Sequence, residues 1–137
     1  QHVLEPLSGY LHLGSTLKNS SFLNGEPFNF GPKDNQNRTV IELIDKLKSN
    51  SIFKNKAKIS VKKNDSFFES SLLKLNCDKA LMHLSWEPNL NFEQTVNFVA
   101  SWYNNYFSDE EAIDKYTSDQ ILEYCKIGKE KELTWTK

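Results

Sequence analysis

Four consecutive residues constrain the fold more than any others: Asn91-Phe92-Glu93-Gln94. The Asn side chain can accept the third backbone N–H of a helix while the Gln side chain reaches back, so two orphan ends are satisfied together. Behind them run Val96, Phe98, Val99, Trp102, Tyr103, Tyr106 and Phe107, the greasiest segment of the chain. Rings of this size at helical spacing have to be covered by something. The face they make is core or interface, not a cofactor box.

The remaining elements follow from spacing and punctuation. A first helix is expected from about Pro6 to Lys18, with Leu4, Leu7, Tyr10, Leu11 and Leu17 at roughly helical spacing and Pro6 in its first turn. Thr39-Val40-Ile41-Glu42 is a second capping box, launching a helix with Val40, Ile41, Leu43, Ile44 and Leu47 on its inner face. Asn76 caps a short helix, Cys77 to Leu84, and Trp86-Glu87-Pro88 closes it, the ring filling its end and the proline fixing its exit. A last helix is expected from Thr117 or Ser118, carrying Ile121, Leu122 and Cys125, followed by a solvated charged stretch from Lys129 to Glu132. Three short strands are expected: Pro27–Phe30 ended by Gly31-Pro32, Lys58–Lys62, and Leu72–Leu75. The fold class is therefore mixed α/β, a small helical lobe with short strands. It forms one domain over residues 1–137, with 108–137 as its closing helix and tail.

Much is excluded. At 137 residues with a net charge of −1 there is room for one core, and there is no basic block to meet nucleic acid or a membrane surface. No apolar run approaches the length of a membrane span. Cys77 and Cys125 stand far apart with no Cys or His at ligand spacing, which reads as two buried, reduced thiols in a cytoplasmic protein. No Gly-x-Gly-x-x-Gly occurs, no Tyr is followed by Lys four positions on, and the three His are scattered. No catalytic, cofactor-binding or metal-binding residue is assigned. The chain enters directly on an apolar run without an initiator Met, which reads as a cut edge.

Four blocks, in order, resemble one family. They are Gln1–Leu11, then Phe28–Pro32 with Asn37–Val40, then Glu69 with Leu73–Ala80 and Leu84–Pro88, and finally Thr95-Val96, Trp102-Tyr103 and the Gln120-Ile121…Tyr124 run. Together they resemble the CDP-glucose 4,6-dehydratases, extended short-chain dehydrogenases that make CDP-4-keto-6-deoxyglucose. Phe68, Asn76 and Ser85 depart from the family's His, Asp and Gly. The resemblance implies a carboxy-terminal portion that grips the sugar nucleotide. NAD and the acid–base residues would belong to an amino-terminal nucleotide-binding domain, and the parent enzyme would be a homo-oligomer. The alternatives are the same portion of another sugar-nucleotide dehydratase or epimerase, or a non-catalytic interaction module.

Six residues are candidate substrate contacts. Gln1 and His2 follow on the position of the family's diphosphate-proximal Arg, so they either border the sugar nucleotide or begin a turn. Asn35, Asn37 and Arg38 lie in a loop opening onto a helix start, where loop donors, a guanidinium and the helix's positive end converge. The other reading is a capped helix with a solvated Arg. Glu69 either hydrogen-bonds ribose or base or fixes its own loop. Phe67 and Phe68 either stack on cytosine or fill core.

Overall fold

Capping boxes set where two helices of the computed structural model begin; the structure describes residues 1–33, 35–49, 59–60, 74–109 and 111–137. Helix α1 spans Leu4–Leu17, α2 Val40–Ser49, α3 Asp78–Leu84, α4 Phe92–Ser108 and α5 Ile113–Glu130, with single 3-10 turns at Ser21–Leu23 and Thr134–Thr136. In α4 the Asn91 side chain accepts the Gln94 N–H at 2.9 Å and the Gln94 side chain accepts the Asn91 N–H at 3.0 Å. In α2 Glu42 accepts the Thr39 N–H at 2.7 Å while the Thr39 hydroxyl accepts the Glu42 N–H at 3.3 Å. Asn76 leads into α3 by accepting the Asp78 N–H at 3.0 Å.

Helix α5 starts a turn earlier than Thr117. The hydroxyls of Thr117 and Ser118 do not cap; they donate back to the carbonyls of Ile113 and Asp114 at 2.8 and 2.9 Å. A Ser or Thr inside a helix satisfies itself this way, and sequence alone does not separate the two uses. At its far end the Leu133 N–H bonds the Gly128 carbonyl and the Glu132 N–H that of Lys129, with Glu132 at φ 56°. This Schellman closure turns the chain back. The stretch from Lys129 to Glu132 is exposed, but it leads into a docked end: Trp135 stacks on Tyr124 at 5.2 Å. A side chain at Gly128 would meet that indole at 2.8 Å.

The core is Leu23, Phe30, Ala80, Leu84 and Trp86, with Leu13, Leu17, Phe28 and Trp135 against it. Phe30 meets Trp86 edge-on at 4.9 Å. Its ring also lies over Gly9, where any Cβ would run into it.

Three expectations need correction. Among the described residues there is no strand. The Pro27–Phe30 segment pairs with no strand among the described residues, and Ile59, Ser60, Lys74 and Leu75 are irregular. The rest of the other two expected strands lies outside the described residues. Alternation marks a strand, but only a second strand makes one. The expected inner face of α2 is not buried: Val40 is 73% exposed and Ile41 45%, because its packing neighbour α4 covers only one flank. Neither Cys77 nor Cys125 forms a disulfide, and both are only half-buried.

Candidate functional site

The first two turns of helix α1 turn a polar face inward, while Leu13 and Leu17 further on pack against the core. Glu5 and Ser8 face inward and are buried, while Val3, Leu7, Tyr10 and Leu11 are 62, 44, 60 and 77% exposed. The inward polar face is fully engaged. Glu5, at 1% exposed, accepts the Leu90 N–H on Oε1 at 2.6 Å, and on Oε2 the Asn89 N–H at 2.8 Å and the Tyr124 hydroxyl at 2.9 Å. Ser8 Oγ accepts the Trp86 indole N–H at 3.1 Å and donates to the Glu5 carbonyl at 2.7 Å. Asn89 donates to the Tyr124 carbonyl at 2.7 Å, and Lys131 donates to the Asn89 carbonyl. The His12 ring meets the Leu84 carbonyl at 2.8 Å. Burial first, and the neighbouring Glu5 carboxylate second, push the Tyr124 phenol well above its ordinary range. This network ties α1, the loop before α4 and α5 into one frame. Sequence reading missed it because Glu5 looks like a first-turn helix acid; the signal was a lone carboxylate opposite an apolar stripe.

Along that frame lies a cleft of about 360 Å³, walled by His2, Val3, Leu7, Trp102, Tyr103 and Ile121. Its polar neighbours point elsewhere. Thr117 accepts the Trp102 indole N–H at 2.9 Å, and Gln120 donates to the Phe98 carbonyl at 2.9 Å. The cleft therefore offers an apolar, aromatic wall. His2 is buried at its edge, taking the Leu4 N–H on Nδ1 at 3.3 Å, which leaves the proton on Nε2, and packing edge-on against Phe98 at 5.5 Å. Burial lowers its pKa.

A second hollow of about 210 Å³ runs between Gly31-Pro32-Lys33, Cys77 and Trp86-Glu87-Pro88, and Lys33 closes it on Glu87 at 2.5 Å. The expected substrate loop leads out of it. Asn35 and Asn37 are exposed. Arg38 stands 5.3 Å over the Phe92 ring and 4.0 Å from Glu42. The capping box already uses the Glu42 N–H, so the helix end presents only its first amides to a ligand. Gln1 donates to the Phe30 carbonyl at 3.1 Å. Gln1–His2 and Asn35–Arg38 therefore flank the core from two sides; among the described residues no hydrogen bond joins them. Glu69, Phe67 and Phe68 lie outside the described residues.

Among the described residues no group of His, Cys, Asp and Glu is placed to hold a metal, and no helix is long and apolar enough to cross a membrane. Gly9 and Gly128 serve close packing against Phe30 and Trp135.

Over 113 residues the chain is 32% identical to CDP-glucose 4,6-dehydratase of Salmonella typhimurium strain LT2. The match covers 82% of this chain and 31% of that protein, so the chain spans about a third of the relative's length. No family model and no solved structure matches.

Proposed function

We propose that this chain is the sugar-nucleotide-gripping, carboxy-terminal portion of a CDP-glucose 4,6-dehydratase, part of deoxysugar biosynthesis. The match to the Salmonella enzyme across 82% of the chain carries the reading. A physical argument supports it: Glu5, Ser8, Trp86 and Tyr124 come from three of the resembling blocks and meet in one buried network. No step of the reaction is assigned to these residues. On this reading the cofactor and the acid–base groups sit on a nucleotide-binding domain outside the chain.

The work of this portion is to bind and orient. Arg38 holds the diphosphate, helped by Asn35 and Asn37 and by the positive end of α2. Gln1 and His2 border the sugar nucleotide, and Glu69 accepts from ribose or base. The test is a chimaera: the Salmonella enzyme with its matching segment replaced by this chain, assayed on CDP-, UDP- and dTDP-glucose. Arg38→Ala should raise KM for CDP-glucose by about one to two decades, the value of one charge-assisted hydrogen bond, with kcat nearly kept. A collapse of kcat at constant KM, no change in either constant, or preference for another sugar nucleotide would overturn the assignment.

A further inference from the structure

Phe92 opens α4, half-buried, one turn before the buried Val96 and on the same helix face. For that packing alone a leucine would serve as well. What the phenyl ring adds is a flat, electron-rich face, and the Arg38 guanidinium lies 5.3 Å over its centre. A cation held over a ring, rather than in a close ion pair, keeps N–H donors for a second acceptor, and a guanidinium has several to offer. Glu42 steadies the same charge from 4.0 Å, too far for a hydrogen bond. Arg38 is thus held from two directions by contacts that leave it able to grip an anion.

The ring also stands on a rigid mount. The Asn89 and Leu90 N–H groups are fixed on the buried Glu5 carboxylate at 2.8 and 2.6 Å, and the Asn91–Gln94 capping box follows at once with Phe92 inside it. Glu93, next in the chain, pairs with Lys46 of α2 at 2.6 Å. Two adjacent residues of α4 therefore reach two cations, one just ahead of α2 and one in its body. A long side chain in a polar loop gives up rotamer freedom when it binds a ligand; ordering it beforehand removes part of that cost.

We propose that Phe92 is a positioning residue: its ring, anchored through the start of α4 to the Glu5 frame, orients the Arg38 guanidinium toward the diphosphate of a sugar nucleotide. The diphosphate rests on the proposed function; the ring, its mount and the held guanidinium do not.

A double-variant cycle in the chimaera, with CDP-glucose as substrate, tests the role. Phe92→Leu keeps apolar bulk and removes the ring face. It should raise KM about two- to fivefold with kcat kept, the worth of an exposed cation–π contact. Phe92→Tyr keeps the face and should keep KM. In the Arg38→Ala background Phe92→Leu should change nothing further, because a residue that acts through Arg38 then has nothing to act on. An effect of equal size in both backgrounds would make the ring a packing group and overturn the inference. A fall in kcat, or a KM as high in Phe92→Tyr as in Phe92→Leu, does the same. An effect of Arg38→Ala with none from Phe92→Leu removes the positioning role alone, whereas no effect of Arg38→Ala removes the substrate reading and the role with it. Should the chimaera not fold, the Arg38 Nε–H resonance of this chain decides. Titration with CDP-glucose should move it, and Phe92→Leu should weaken that binding by the same factor; a resonance that stays in place, or an affinity unchanged in Phe92→Leu, sinks the proposal.

Discussion

Replacing Glu5 by Gln keeps the shape of the side chain and changes only what it can accept. Both carboxylate oxygens are in use, one by the Leu90 N–H and the other by the Asn89 N–H and the Tyr124 hydroxyl. A carboxamide has one accepting oxygen and puts an NH₂ where the other stood. Whichever way it turns, a buried backbone N–H faces another donor. The Tyr124 hydroxyl can rotate to accept, but a backbone amide cannot. One buried, unsatisfied donor costs about 1–3 kcal/mol, and loss of charge assistance in the remaining bonds adds about 1 kcal/mol. The expected loss is therefore about 2–4 kcal/mol, a large share of the roughly 5–15 kcal/mol of a domain. Urea unfolding followed by the fluorescence of Trp86 and Trp135 measures it, with the slope checked for constancy. Tyr124→Phe removes one bond of the three and should cost about 1 kcal/mol. Because the two side chains touch, the double variant should lose less than the sum. A Glu5→Gln loss under about 1 kcal/mol would refute the view that this carboxylate holds the frame.

Ser85 stands at φ 49°, in the left-handed region, at the end of α3. A non-glycine residue there costs about 1–2 kcal/mol, against which glycine's greater freedom in the unfolded chain sets roughly 0.5–1 kcal/mol. Ser85→Gly should accordingly stabilise by about 0.5–1 kcal/mol; a lower urea midpoint would show that the hydroxyl contributes something the geometry does not reveal. His2, with its pKa lowered from 6.5 in the fold, binds fewer protons folded than unfolded. Its contribution is complete above about pH 6.5 and is lost as the pH falls below that value, so the urea midpoint should drop between about pH 7.5 and 5.5. In His2→Phe that step should vanish, and a midpoint rising on acidification would contradict the sign.

Two helix starts were legible because they are local, while that of α5 was not. Asn91 with Gln94 and Thr39 with Glu42 satisfy themselves within four residues, so α4 and α2 begin where their capping boxes stand. The fate of Trp86 was legible for a similar reason, since a large ring between a helix end and a proline has few places to go but inward. The direction in which α1 faces was not. By pattern alone Leu7, Tyr10 and Leu11 belong inside, yet Glu5 and Ser8 are there instead. Their partners, Trp86, Asn89, Leu90 and Tyr124, lie 78 to 119 residues further along the chain. Desolvating a carboxylate is tolerable only with every acceptor site filled, and no local window contains those donors. The segment 28–31 shows the same division. Its alternation is written in Phe28, Asn29 and Phe30, but a strand exists only when another backbone answers it, and that is decided by what the fold brings alongside.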